Sequence, residues 1–297
     1  MGHEILVLGA TGQVGSALLA PLARLGQVIT ASRAQCDLSD QTLVKALLDD
    51  IQPDIIVNAA AYTLVDKAEG EQDQSFQLNR DLPALLADYA RGHDALFVDY
   101  STDYVFDGES RRPYTEDSPP NPLGVYGKSK LAGQRAVQAS GCRHLLLRVG
   151  WVYSAAGNNF AKTILGLAAH KQELNVVADQ QGTPTSAGFI AEITAQLIAK
   201  SIVGECASGL YHVAPSGYAS WRDFASVLVQ SARLQGAELA LQPADIKPIT
   251  AAEYPFVAPR PLNTRLDTTK LQQVLGRDLP HWQEPVDHIV NELIHHE

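Results

Sequence analysis

The chain has 297 residues, 45% of them hydrophobic and 19% charged, enough to bury a full core in one large domain or two modest ones. Its 33 acidic against 23 basic residues leave a net charge of −10, which speaks against a nucleic-acid surface of clustered Lys and Arg and favours plain solubility. No apolar run reaches membrane-spanning length, the N-terminus lacks the parts of a secretory signal, and Cys36, Cys142 and Cys206 fit neither a zinc spacing nor a disulfide framework, so the expectation is a cytoplasmic protein with no membrane or nucleic-acid partner.

In chain order, short apolar runs alternate with amphipathic ones. Ile5–Leu8 reads as a strand, followed by a glycine turn and a helix from about Val14 to Leu25. Gln27–Ala31 is a second strand, Gln41–Asp50 a helix, Asp54–Asn58 a third strand and Asn79–Arg91 a helix rich in Leu and Ala. Ala95–Val98 is a fourth strand, a long helix follows Pro122, and Leu145–Val149 is another strand. Continuous apolar strands separated by helices predict βαβ units, an α/β fold with a parallel sheet covered on both faces. Later, Ser186–Lys200 reads as a helix capped by Thr185 or Ser186, and Gly209–Val213 as a late strand returning to the sheet. Gln242–Pro261 is rich in Pro, Gln and Ala. The expected organisation is a cofactor domain over 1–150, joined by roughly 187–215, and a smaller C-terminal substrate-binding lobe over 151–186 and 216–297.

The first turn reads Gly9-Ala10-Thr11-Gly12-Gln13-Val14-Gly15, after a strand and opening a helix. That is the context a dinucleotide fingerprint needs, although the spacing is Gly-x-x-Gly-x-x-Gly. Glycines let the backbone approach a pyrophosphate, and the helix N-terminus offers free N–H groups to it. The fold expected is therefore a Rossmann-type doubly wound sheet. The second strand ends Ala31-Ser32-Arg33 with no acid to hold ribose hydroxyls, and Arg33 suits a 2′-phosphate, so NADPH is the expected cofactor with NADH tolerated. Asp37 and Leu38 follow where the adenine is expected.

Tyr126 and Lys130 are four residues apart, on one face of the helix after Pro122. A keto group that receives hydride at carbon needs a proton at oxygen. A phenol can supply it if a neighbouring ammonium favours the phenolate, and the same ammonium can donate to the nicotinamide ribose. Just upstream, Ser101-Thr102-Asp103 ends a strand, where ligands of parallel sheets bind. Thr102 is the hydroxyl expected to hold the substrate carbonyl, and Asp103 an acceptor for a sugar hydroxyl or a partner in the proton relay.

These residues resemble the extended short-chain dehydrogenase/reductase superfamily. More narrowly, they resemble its dTDP-4-dehydrorhamnose reductase family. The resemblance rests on Gly9–Gly15, the run from Asn58 to Glu69, Ser101–Gly108, Tyr126-x-x-x-Lys130, Trp151–Tyr153, Gly157–Phe160, Asp179–Thr185 and Arg260–Asn263, which together span nearly the whole chain. It implies reduction of the C4 keto group of dTDP-4-dehydro-6-deoxy-L-mannose, a nucleotide sugar, with NADPH or NADH. It also implies Tyr126 as proton donor, Lys130 as its activator and Thr102 as the orienting hydroxyl. Thr11 to Val14, Asp37, Leu38, Ala60, Ala61 and Tyr62 would line the cofactor. Asp103 and Trp151 would contact the deoxyhexose, and Val65 and Tyr104 would form pocket walls.

Some relatives dimerise around a magnesium ion held by glutamates, one just after the third glycine. Here Ser16-Ala17-Leu18 stands there, so no metal is expected, a homodimer is left open, and Glu192 and Glu292 read as helix-surface charges. His288, His295 and His296 read as a polar tail. Trp151 suits either a sugar face or the core, and Arg260 either a diphosphate or an ion pair. Asp99 stands where an apolar residue or a histidine is expected, and the sequence offers no reason for it. Two other functions compete. One is C4 epimerisation; dehydration is disfavoured because Tyr104, not Glu, follows Asp103. The other is a non-catalytic NADP-binding regulatory subunit, against which the complete Tyr126, Lys130 and Thr102 set speaks.

Overall fold

The computed structural model describes residues 2–295; the last histidine of the expected polar tail, His296, lies outside them. Each strand of the central sheet feeds a helix. The order is β1 (His3–Leu8), α1 (Gln13–Ala23), β2 (Gly26–Thr30), α2 (Gln41–Ile51), β3 (Ile55–Asn58), α3 (Leu82–Gly92), β4 (Leu96–Thr102), α4 (Val125–Ser140) and β5 (His144–Val149). After an excursion through α5 (Phe160–Ala168), the chain returns by α6 (Ala187–Ile202) to β6 (Gly209–His212), then leaves through α7 (Trp221–Leu234) and ends in α8 (Val286–His295).

All six strands pair in parallel, in the order β6-β5-β4-β3-β1-β2. From β1 the chain steps outward to β2 and then crosses back to β3. The strand order therefore reverses between β1 and β3, and the crevice beyond their carboxyl ends is where ligands of such sheets bind. The six-strand Rossmann order carries two strands beyond β1; here β2 alone lies there, because only α2 connects it to β3.

Strand alternation explains the near-continuous apolar runs. Ile5, Val7, Ile55 and Val57 bury against one layer, with Leu18 of α1 and Ile190 of α6. Leu6, Leu8, Ile56 and Phe97 bury against the other, with Leu48 of α2, Leu86 of α3 and Val137 of α4. A separate core joins Tyr153, Ile164, Phe224, Leu228, Trp282 and Val290, drawn from 153–176 and 219–290. Leu271 and Leu279, late in the chain, pack back onto the sheet.

One expected helix begins differently. The run read as Asn79–Arg91 starts inside a π turn, Gln77–Asp81, which continues a short helix at Gln72–Phe76 and leads into α3. Pro83 has no N–H to give the Asn79 carbonyl four residues earlier, which favours the wider turn. That carbonyl packs on α4 instead, where a Cβ on Gly133 would lie 1.9 Å from it. The Asn79 side chain clamps Tyr62, accepting from its N–H at 2.9 Å and donating to its carbonyl at 3.0 Å.

Candidate active site

Beyond the carboxyl ends of β1 to β5 lies a cleft of about 820 Å³, within the range of small-molecule and cofactor sites. Gly9 to Val14, Arg33, Asp37, Leu38, Ala60 and Ala61 line one end. Val65, Thr102, Asp103, Tyr104, Tyr126 and Trp151 line the other.

The glycine turn is built by close approach. Gly9 has φ +74°, and a Cβ there would lie 2.7 Å from the Ala60 nitrogen. Gly12 caps α1 with extended backbone and no side-chain hydrogen bond, so the first N–H groups of the helix stay free for an anion. Gly15 does not line the cleft; a Cβ there would lie 2.1 Å from the Gly9 carbonyl oxygen, so its role is to let α1 pack on the turn. These features fit a dinucleotide pyrophosphate. Arg33 is exposed at the far end, near enough to help hold the Asp37 carboxyl below the usual range, although the Ser39 hydrogen bonds are the larger cause.

Tyr126 stands in the first turn of α4. Gly124 precedes that helix with extended backbone, and the Glu69 carboxylate accepts the Val125 N–H at 2.8 Å, which fixes where the helix starts. Burial pushes the phenol well above its ordinary pKa. A hydrogen bond with Thr102 opposes this, and the charge of Asp103 adds to it. The Tyr104 ring meets the Tyr126 ring edge-on, with centroids 5.7 Å apart. Thr102 donates from its Oγ1 to Asp103 Oδ1 at 3.0 Å and accepts the Tyr104 N–H at 3.2 Å.

Asp103 is buried, and its pKa is raised to about 6 by desolvation, against hydrogen bonds from Thr264 and Thr102. Its Oδ2 has no partner among the described residues. It occupies the space a side chain at Gly150 would fill, since a Cβ there would lie 2.3 Å from Oδ2.

Trp151 combines the two fates open to it. It borders the cleft and is also 9% exposed, stacked on Trp221 with ring centroids 3.5 Å apart and planes 1° from parallel. Its indole N–H donates to Thr264 Oγ1 at 3.1 Å, and its φ of +49° is rare for a side chain of this size.

Four residues expected at the site stand back from the cleft lining. Gly15 acts in packing, as described. Tyr62 turns its hydroxyl to Glu71 and its backbone to Asn79. Arg260 pairs with Asp66 at 2.8 Å and lies over the rings of Tyr104 and Phe256, so its guanidinium is turned into that contact rather than into the cleft. Lys130 is 4% exposed and does not line the cleft. Glu192 is held by Arg24 at 2.6 Å.

The structure adds residues the sequence left unnamed. Asn158, Asn159 and Phe160 line the cleft, and Gln13 Oε1 accepts from Asn159 Nδ2 at 2.9 Å and from Ser154 Oγ at 3.1 Å, tying the glycine turn to the second core. Trp221 lines it too, at the start of a helix whose capping box, Ser220 with Asp223, was readable as a helix start.

The family described as RmlD substrate binding domain matches residues 3–295. The dTDP-4-dehydrorhamnose reductase of Escherichia coli (strain K12) is 44% identical over 294 residues, covering 98% of each chain. That of Burkholderia thailandensis is 41% identical over 98% of this chain and 99% of the relative. The crystal structure of dTDP-4-dehydrorhamnose reductase from Bacillus anthracis str. Ames in complex with NADP matches with a TM-score of 0.89 and 30% identity, over 98% of this chain and all of that one. The chain belongs to the RmlD substrate binding domain family, which it shares with these dTDP-4-dehydrorhamnose reductases.

Proposed function

We propose that this protein reduces the C4 keto group of dTDP-4-dehydro-6-deoxy-L-mannose to give dTDP-L-rhamnose, using NADPH, with NADH also accepted. The observation that carries the reading is one continuous cleft. Its uncapped helix start at Gly12 lies at one end and its Tyr126–Thr102–Asp103 cluster at the other, so a dinucleotide with its pyrophosphate on the helix start spans the cleft and would bring its nicotinamide beside the keto carbon held at the cluster. Similarity to reductases of that name over 98% of the chain supports the choice of sugar.

In this reading α1 and the turn at Gly9 to Val14 hold the pyrophosphate, Ala60 and Ala61 border the nicotinamide half, and Arg33 meets the 2′-phosphate. When bound, the reduced nicotinamide supplies the hydride to C4. Thr102 orients the keto oxygen, and Tyr126 donates the proton that turns the developing alkoxide into a hydroxyl. Lys130 fixes the ribose and the electrostatics beneath the phenol. Asp103, which borders the cleft, accepts from a sugar hydroxyl, while Val65, Tyr104 and the Trp151–Trp221 stack wall the deoxyhexose. The lobe around the second core is the proposed substrate lobe, and the compartment is the cytoplasm, in keeping with three buried, unbridged cysteines.

The test is NADPH oxidation by purified protein with dTDP-4-dehydro-6-deoxy-L-mannose, compared with UDP- and GDP-linked 4-keto analogues. Stoichiometric NADPH consumption with the dTDP sugar is expected. Conversion of a sugar with no net NADPH loss would mean epimerisation, and tight NADPH binding without turnover would mean a regulatory subunit.

A further inference from the structure

Trp151 is held at its backbone, its ring and its nitrogen. It follows β5 and Gly150, where the chain leaves the central sheet, and its φ of +49° lies in the left-handed region. A bulky residue keeps that conformation only where its surroundings over-determine it, and such residues gather at functional sites. The Trp151 carbonyl accepts the Thr185 N–H at 3.1 Å. The next two residues, Val152 and Tyr153, pair in parallel with Thr185 and Ser186, so the left-handed step turns the chain out of β5 and into that second ladder.

The ring is stacked on Trp221, which follows directly on Ala219 and Ser220. Those two residues pair antiparallel with Gly182 and Gln181. Gly182 lies against the indole. A Cβ there would be 2.3 Å from Trp151 Nε1 and 2.8 Å from Thr264 Oγ1, so a residue without a side chain lets the nitrogen and the hydroxyl meet. They meet at 3.1 Å, with the indole N–H donating.

Thr264 is itself fixed and buried. Its backbone N–H donates to the Gln181 carbonyl at 2.8 Å, and the Gln181 N–H donates to the Leu262 carbonyl at 2.8 Å. Its hydroxyl has the Gln181 carbonyl at 3.4 Å to donate to, which leaves the oxygen to accept from the indole. Trp151 borders the cleft, whereas Thr264 does not. The N–H is the only polar hydrogen an indole has. With Thr264 holding it, the part of Trp151 left to the cleft is hydrocarbon, which suits the C–H groups of a sugar ring.

We propose that Thr264 is a positioning residue for sugar binding: its hydroxyl takes up the indole N–H and fixes the plane of Trp151 against Trp221, so that the sugar meets a carbon edge set at one angle. This rests on the reading of Trp151 as a wall of the sugar site given above. Thr264 touches neither sugar nor cofactor; it acts through Trp151.

The experiment measures the sugar KM, the NADPH KM and kcat for wild type, Thr264→Val and Thr264→Ser. Thr264→Val keeps the branched shape and removes the acceptor. A roughly tenfold rise in the sugar KM is expected, the size of one buried donor left without its partner, with kcat and the NADPH KM near wild type. Thr264→Ser keeps the hydroxyl and is expected to restore the wild-type sugar KM. A merely structural loss would follow the missing methyl into Thr264→Ser and would not be confined to one constant.

A wild-type sugar KM in Thr264→Val overturns the proposal, and so does a rise that Thr264→Ser shares. Trp151→Phe supplies a ring with no N–H. In that background Thr264→Val is expected to cost nothing further, and a full cost there also overturns the proposal, because the hydroxyl would then act on another neighbour. Trp151→Ala separates this inference from the reading beneath it. If Trp151→Ala leaves the sugar KM unchanged, the reading of Trp151 as a wall falls and this inference with it. If Trp151→Ala raises the sugar KM and Thr264→Val does not, this inference alone falls. Thr264→Ala, with no branch to pack, carries the same expectation should Thr264→Val fold poorly, and an unchanged NADPH KM reports that the cleft is intact.

Discussion

The two ends of the cleft are made in different ways. The cofactor end is mostly backbone: a seven-residue stretch, Gly9 to Gly15, supplies the left-handed turn, the close approach to Ala60 and the uncapped start of α1. The substrate end is side chains brought from five parts of the chain, namely Thr102 and Asp103, Tyr126, Trp151, Trp221 and Thr264. A phosphate is the same in every nucleotide and can be met by peptide N–H groups at a sheet crossover. A particular sugar needs hydroxyls, rings and carboxylates at chosen points, which only a folded second core provides. Damage at one end should therefore show in cofactor binding, and damage at the other in sugar binding or chemistry.

The largest expected effect sharpens that contrast at the chemical centre. Tyr126→Phe keeps the ring that packs edge-on against Tyr104 and removes only the proton donor. Its kcat should fall on the order of 10²-fold or more, as for loss of a general acid, while the NADPH Kd from nicotinamide fluorescence stays near wild type. A near-normal rate would take the phenol out of the mechanism.

Trp221→Ala tests whether the substrate end depends on the second core. The substitution removes the partner stacked on Trp151 at 3.5 Å. With the aromatic contact gone, roughly tenfold weaker sugar binding is expected, read as a rise in the sugar KM at unchanged NADPH KM. If both constants rise together, the two ends are not independent and the comparison fails. Arg33→Ala makes the opposite cut. Arg33 is exposed, so its contact with a 2′-phosphate is screened, and the NADPH Kd should rise about fivefold at low salt and less at high salt. The NADH Kd should stay unchanged. Equal effects on the two cofactors would deny Arg33 its role.

The same division explains what the sequence made legible. The alternation of apolar runs and amphipathic helices is local, and so is the glycine turn, so the sheet, its crossover and the cofactor end follow from short windows. Tyr126 and Lys130 are four apart on one helix and could be paired by spacing. Trp151 and Trp221, or Trp151 and Thr264, are linked only by the fold, and no period in the chain announces them. The π turn leaves no local mark, because Pro83 in an apolar stretch looks like an ordinary helix start. Lys130 was expected beside the phenol. Spacing puts both side chains on one face of α4 but says nothing of how deeply the fold buries the lysine, which is 4% exposed and outside the cleft lining. Arg260 suited two partners from its chemistry alone, and only the fold brings Asp66 to it.

The electrostatic cost of the substrate end can be read at Asp103. Its carboxyl is raised to about 6 by burial, whereas in the unfolded chain it titrates in the ordinary range near 4. Between those values the folded protein binds the proton more readily than the unfolded one. Stability is therefore higher when Asp103 is protonated and is lost as pH rises through about 6. Asp103→Asn has no such titration. Its packing and hydrogen-bond changes are the same at every pH, so only the difference between two pH values isolates the charge. Relative to wild type, the variant should gain up to about 2 kcal/mol between pH 4.5 and pH 8, since part of the two-unit difference is already spent at pH 4.5, or a few degrees in Tm for a chain of this size. A thermal melt of both proteins at the two pH values measures it. A Tm difference that does not change with pH would mean that the carboxylate at the substrate end is not held against its own desolvation.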